Sequence, residues 1–243
     1  MQARLNISGI QHFFEDKDFF TKKEIRDFYV RGNQNLSVNV LNWRIYKLID
    51  MEIIERLGRG KYKIGKRAIF HPELSVEGIA IGKTLKHQFP FTAFCIWDTA
   101  LLNLLSLHQS FQRFKIVEAE RDSLEAVFLF LKEKYSSVFL KPSRELVGNY
   151  LLEMDDLIIV QLLSSEAPLQ TIAEIPTVTL EKLLVDVVCN QEVFYFYQGY
   201  ELVNIFRQAF ENYSVNESRL LRYARRRKKE ADILHIIKTM KEE

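Results

Sequence analysis

The run from Ile53 to Ile64 most restricts how this chain can fold. Ile53-Ile54-Glu55-Arg56-Leu57 is a short β-rich segment, Gly58-Arg59-Gly60 is a tight turn carrying a cation, and Lys61-Tyr62-Lys63-Ile64 is a second short segment of the same kind. Two such runs joined by a glycine-flanked turn predict a β-hairpin. Three helical patterns precede it. Ile7, Ile10, Phe13 and Phe14 share one helical face. Thr21 with Glu24 three residues on forms a capping box that opens a second helix burying Ile25, Phe28 and Tyr29, and Gly32 and Asn33 end it. A third helix over Ser37 to Asp50 carries Val38, Leu41, Ile45, Leu48 and Ile49 on its inner side. Asn39, Val40, Trp43 and Lys47 lie on its outer side, with Arg44 at the edge.

Three helices followed by a basic hairpin predict a winged helix-turn-helix domain over residues 1–72. In such modules the third helix enters the major groove, the N-terminus of the second can hold a phosphate, and the hairpin tip touches the DNA backbone or minor groove. The pattern therefore assigns phosphate contacts to Thr21, Lys22 and Lys23, wing contacts to Arg59 and Lys61, and base reading to Asn39, Trp43, Arg44 and Lys47. The same domain type also serves as a protein-docking module. Trp43 could anchor a protein interface, and Asp50, Glu52 and Glu55 dilute the positive face.

Charge is distributed unevenly. Residues 1–72 hold 14 basic and 8 acidic side chains, residues 73–214 hold 11 and 19, and residues 215–243 hold 9 and 5, within an overall net charge of +2. A basic head on an acidic body implies that only part of the molecule meets a polyanion. At 243 residues and 47% hydrophobic, the chain is too apolar for a disordered protein and long enough for two domains. The longest apolar run, Leu157 to Leu163, is interrupted by Gln161 and falls far short of the roughly 20 residues a membrane helix needs. The N-terminus lacks the apolar stretch of a signal peptide, so a cytoplasmic location is expected. Cys95 and Cys189 sit among apolar neighbours and read as reduced core residues, and His12 and His71 have no ligand-like spacing.

Residues 73–243 predict a mixed α/β domain with a helical C-terminal end, so that the whole chain is α+β. Helices are expected over Val76–His87, Thr99–Leu107, Ser123–Tyr135 and Glu145–Leu152. Extended segments are expected over Phe91–Ile96, Phe114–Glu118, Ser137–Leu140 and Leu157–Val160, and helix with brief breaks from Thr179 to Lys241. No catalytic constellation is visible, and no metal or cofactor is expected. The glycines of this half are scattered, His87, His108 and His235 have no identifiable partners, and Glu118 and Glu120 read as surface carboxylates. Asp98, Glu118 and Glu120 suggest half of a metal-dependent nuclease site, but the lysine two residues after a strand acid is missing. Arg225-Arg226-Arg227-Lys228-Lys229 is either a solvated helix surface or a contact for nucleic acid or an acidic partner. Arg222, Arg225, Arg226 and Lys229 are its candidate contacts.

The hairpin with Gly58-Arg59-Gly60-Lys61-Tyr62, the Thr179-Leu180-x-x-x-Leu184-x-Asp186 helix and the later Leu220-x-x-Tyr223-Ala224-Arg225-Arg226 resemble the AbiE-type antitoxins of bacterial type IV toxin–antitoxin systems. Glu181-Lys182 departs from the Glu-Arg-Thr-Leu order of that family. The resemblance implies a non-enzymatic transcriptional regulator whose N-terminal domain binds its own operator in double-stranded DNA. Its C-terminal domain would counteract a nucleotidyltransferase toxin encoded nearby. The alternatives are a nuclease-like enzyme targeted by the winged helix and a protein-interaction module that does not bind DNA.

Overall fold

The computed structural model describes residues 5–31, 36–65, 68–107, 113–149 and 154–242. The chain divides into two compact units, Met1–Phe70 with Phe210–Val215, and His71–Ala209 with Asn216–Glu243. The break expected at Gly32 and Asn33, residues 150–152 of the helix expected after Glu145, and His108 lie outside the described residues. Among the described residues, no helix is long and apolar enough to cross a membrane.

The first unit contains α1 (Ile7–Phe14), β1 (Phe20–Thr21), α2 (Lys22–Val30), α3 (Val38–Asp50), β2 (Ile54–Gly58) and β3 (Lys61–Ile64). Its core joins Ile10 and Phe14 of α1, Ile25 of α2, Leu41, Ile45 and Leu48 of α3, and Phe20, Ile53, Ile54 and Tyr62 around the sheet. Phe14 and Phe20 stack with their centroids 4.1 Å apart. Helix α2 starts where it does because the Thr21 hydroxyl accepts from Glu24 N–H at 3.3 Å while the Thr21 N–H donates to the Glu24 carboxylate at 2.8 Å. The Ser37 hydroxyl accepts from Val40 N–H and opens α3 in the same manner. Val38, expected on the inner face, is instead 58% exposed; it sits in the first turn, before the helix reaches the core.

Strand β3 lies between β1 and β2, all antiparallel, with Phe20 opposite Tyr62, Thr21 opposite Lys61, and Ile54 opposite Ile64. The two-residue β1 has no sequence signature, because alternation cannot show in two positions. Residues from the far end of the chain complete this unit. Ala68 N–H donates to Asn212 O and Ser214 N–H to Ala68 O, each at 2.9 Å, and Phe70 meets Tyr213 edge to face.

The second unit contains α4 (Val76–Gln88), β4 (Phe94–Asp98), β5 (Lys115–Ala119), α5 (Leu124–Lys134), β6 (Val138–Leu140), α6 (Arg144–Asn149) and β7 (Ile158–Leu162). After these come β8 (Leu169–Ile172), β9 (Ile175–Val178), α7 (Leu180–Cys189), α8 (Tyr200–Asn212, whose residues from Phe210 on belong to the first unit), α9 (Glu217–Arg226) and α10 (Glu230–Glu242). The main sheet has the order β4-β5-β7-β6, in which β4 is antiparallel to β5 while β5, β7 and β6 are parallel. The segment expected as a helix over Thr99–Leu107 is a 3-10 helix over Thr99–Leu104, capped by the Asp98 carboxylate.

The β8–β9 hairpin is absent from the sequence reading for two physical reasons. Pro176 lies inside β9, and Ala173 and Glu174 at the turn take positive φ, 47° and 66°, where glycine or asparagine is the usual signal. Helix α7 is buried on every side from Leu180 to Val188, including Glu181, Lys182 and Asp186. Apolar periodicity accounts only for Leu180, Leu183, Leu184, Val187 and Val188, which share one face of the helix.

Candidate nucleic-acid interface

Strand pairing in the first unit draws the candidate phosphate and wing contacts together. Because β1 pairs with β3, Thr21 lies opposite Lys61, and Lys22 N–H donates to Gly60 O at 3.0 Å. The first turn of α2 therefore abuts the hairpin turn, and Lys22, Lys23, Arg59 and Lys61 occupy one edge of the unit. Among the described residues none of these four cations has a carboxylate partner within ion-pair distance. Lys61 lies over the half-exposed Phe19 ring, 4.9 Å from its centroid. Thr21 is engaged as the cap, so its hydroxyl is committed to Glu24.

Glu24 also accepts from Lys17 at 2.6 Å; that bond and the Thr21 N–H lower its pKa to about 2. A depressed carboxylate stabilises the fold above its unfolded value and loses that contribution as pH falls through its folded value. The stability difference between wild type and Glu24→Gln is expected to be constant above about pH 4.5 and to close toward about pH 2. Its size should stay below about 1 kcal/mol, because the side chain is partly solvated. Denaturant midpoints of both proteins across this range measure it, and a pH-independent difference would refute the assignment.

The outer face of α3 differs from the expectation. Asn39 and Trp43 are exposed, as are Val38, Val40 and Tyr46. Arg44 instead lies over the Tyr29 ring, 4.2 Å from its centroid, with its Nε buried and unpaired. Lys47 is held by Asp50 at 2.9 Å. The helix thus presents aromatic and aliphatic groups, with Lys47 drawn to Asp50 one turn on and Arg44 drawn to a ring on α2 that periodicity does not reveal.

Of the five cations from Arg225 to Lys229, all but Lys228 find a partner among the described residues. Arg225 pairs with Glu230 and Lys229 with Asp232, while Arg226 donates to the Ser165 hydroxyl. Arg222 and Lys228 are exposed. Arg227 turns inward, donating to Asp186 and, at 3.1 Å, to Asn190 Oδ1 and the Tyr223 hydroxyl oxygen. The run is thus divided between two local ion pairs, a hydroxyl contact at Ser165, one inward anchor and the exposed Lys228.

That anchor belongs to a buried ionic cluster. Lys182 Nζ contacts both Glu118 Oε2 and Asp186 Oδ2, Gln161 donates to Glu118 at 2.9 Å, and the Tyr223 hydroxyl donates to Asp186 at 2.9 Å. Two cations balance two carboxylates, as burial requires. Burial opposes the Lys182 charge, but the Asp186 and Glu118 carboxylates raise its pKa well above the ordinary lysine value.

A model of a family described as being of unknown function, DUF6577, matches residues 40–243. The chain belongs to the DUF6577 family. No curated protein matches the sequence. The matched span begins inside α3 and takes in the hairpin and the whole ionic cluster, while α1 and α2 precede it.

In this DUF6577 chain Glu118 is only 1% exposed, which corrects its reading as a surface carboxylate. An advance sign was a carboxylate set among the apolar Ile116, Val117 and Ala119 of a strand that Lys115 opens. The antiparallel register sets Glu118 opposite Cys95 and Asp98 opposite Lys115, so the strands do not assemble the acids of the nuclease reading. Glu120 instead accepts from Ala93 N–H at 3.0 Å. Among the described residues, no three His, Cys, Asp or Glu side chains converge as a metal site. Cys95 is buried, but Cys189 is partly exposed, and burial pushes its thiol up to about 11.

Proposed function

We propose that the first unit is a winged helix that binds double-stranded DNA, and that the chain is a non-enzymatic regulator of the antitoxin type. The observation that carries this reading is the single edge formed by Lys22, Lys23, Arg59 and Lys61, joined through the Lys22 N–H to Gly60 O bond. Four cations with no carboxylate partner among the described residues, beside a helix N-terminus, suit a phosphate backbone. The antitoxin assignment, autorepression of an operon and neutralisation of a nucleotidyltransferase toxin, rests on the resemblance of residues 179–186 and 220–226. The Asp186–Tyr223 hydrogen bond, which ties those two segments together, supports reading them as one motif.

The test measures binding to the duplex upstream of the chain's own coding region, and to a random duplex of equal length, across a salt series. Replacing Lys22, Lys23, Arg59 and Lys61 together with glutamine is expected to weaken both complexes and to lower the salt slope by about 3 to 4, roughly 0.9 per phosphate contact. Replacing Asn39 is expected to erode preference for the operator by about 1–3 kcal/mol if the contact is bidentate. An unchanged slope in the quadruple variant would overturn the interface. Loss of toxin rescue on co-expression tests the second half of the proposal, and a folded protein that rescues no cell from the neighbouring toxin would overturn it.

A second reading, protein docking through α3, is favoured by the exposure of Val38, Val40, Trp43 and Tyr46 on one helix. It predicts that Trp43→Ala abolishes a protein complex while leaving any duplex affinity unchanged.

A further inference from the structure

The second unit holds a cavity of about 430 Å3 at the carboxyl ends of two parallel strands. Lys141 and Pro142, just after β6, form one side, and Gln161, Leu162 and Ser164 at the end of β7 form another. Cys189, Asn190, Glu192, Val193 and Arg227 close it. In open α/β sheets this crevice outside the carboxyl ends of parallel strands is where ligands bind. The volume falls within the range of small-molecule sites.

The lining has distinct chemical zones. Pro142, Leu162 and Val193 supply apolar walls. Gln161, 8% exposed, gives its amide N–H to Glu118, and its Oε1 has no partner among the described residues. Asn190 is the converse: its Oδ1 accepts from Arg227, and its amide N–H groups have no acceptor among the described residues. One free acceptor and one free donor line an apolar slot, matching the hydrogen-bonding edge of a nucleobase. Arg227 holds Asn190 in place, and its own charge is balanced by Asp186, so it stiffens the site without making it cationic.

The rim carries one charge of each sign. Glu192 is exposed, one of its oxygens accepts Arg144 N–H at 2.7 Å, and the other has no partner among the described residues. A carboxylate in that position suits ribose hydroxyls, the role acidic residues play in dinucleotide sites. Lys141 is exposed with no ion partner among the described residues, and its backbone φ of 42° is uncommon for a residue bearing a side chain. Strained backbone of this kind gathers at ligand sites.

We propose that this cavity binds a ribonucleotide, its base between the apolar walls and against Gln161 and Asn190, its ribose at Glu192 and its phosphate at Lys141. The nucleotide can be free or the end of an RNA strand, since both present the same three groups. The site lies wholly within the second unit, and the inference does not depend on DNA binding by the first.

Titration calorimetry of the full chain with the four ribonucleoside 5′-monophosphates, their nucleosides, the 2′-deoxy analogues and inorganic phosphate tests it. At least one monophosphate is expected to bind, about tenfold tighter than its nucleoside, the worth of one charge-assisted contact. That advantage is expected to vanish in Lys141→Ala, and the preference for ribose over deoxyribose to vanish in Glu192→Ala. Both residues are exposed, so neither variant should threaten folding. A short RNA ending in the preferred nucleotide that binds tighter than the monophosphate, with the same dependence on both residues, would identify the RNA end as the ligand; weaker RNA binding would identify the free nucleotide. No heat from any monophosphate at millimolar concentration, inorganic phosphate binding as tightly as the nucleotide, or affinities unmoved by both variants would each overturn the proposal.

Discussion

Replacing Lys182 by methionine is expected to destabilise the second unit by about 3–5 kcal/mol, the cost of leaving a buried counter-charge unpaired. Lys182 has no exposed surface, and its ammonium is shared by Glu118 and Asp186. Methionine fills similar space, so the loss is electrostatic rather than a cavity. Adding Glu118→Gln to the variant should recover part of it, because one uncompensated carboxylate is then gone. The deficit should also depend on pH. Burial raises the Glu118 pKa, opposed in the native protein by Lys182. Without the ammonium that opposition disappears, and a carboxyl group with a raised folded value favours the fold below its unfolded value and loses that favour as pH rises. The deficit of Lys182→Met is therefore expected to narrow as pH falls toward the ordinary carboxylate range. Urea unfolding followed by Trp97, fully buried in the same unit, reads both effects. A midpoint equal to that of wild type would show that the cluster does not hold the unit together.

Gly65→Ala is expected to cost the first unit about 3 kcal/mol, at the upper end for overpacking. A Cβ at this position would stand 1.9 Å from Glu52 O and 2.9 Å from its carbonyl carbon. Both are backbone atoms, so no side chain can swing away to make room. Gly65 N–H is also bonded to Ile53 O at 2.8 Å, which pins the segment against the start of β2. Relief of the clash must shift the base of the β2–β3 hairpin and with it Arg59 and Lys61. If the first unit binds duplex DNA as proposed, that affinity should fall with the stability, whereas the unfolding of the second unit should be unaffected. Trp43 fluorescence in a Trp97→Phe background isolates the first unit, and an unchanged midpoint there would refute the clash.

Many of the elements were legible because their signals are local. The Thr21–Glu24 box and the Ser37 and Thr179 hydroxyls each cap a helix through a bond to a backbone N–H three residues on. The apolar spacing of Ile7, Ile10 and Phe14 and of Leu41, Ile45 and Leu48 reports burial on one face of a single helix. The Gly58-Arg59-Gly60 turn marks the hairpin because glycine readily takes positive φ, and Gly60 does so at 72°.

Tertiary structure alone decided the rest, since it depends on groups far apart in the chain. Arg44 was assigned to base reading by helical position, but its guanidinium lies over the ring of Tyr29 on α2. The segment Phe210–Val215 joins the first unit through hydrogen bonds to Ala68, so a truncation at residue 72 would strip those residues of their partners. The charges of α7 show the limit most plainly. By composition Glu118, Lys182 and Asp186 belong on a surface, because burying any one of them alone would cost several kcal/mol. They are buried because β5 and α7 bring the carboxylates and the lysine together, and α9 adds Tyr223 and Arg227. Periodicity reports which face of a helix is apolar, but it cannot show that a charge has found its counter-charge 64 residues away, as Lys182 does at Glu118.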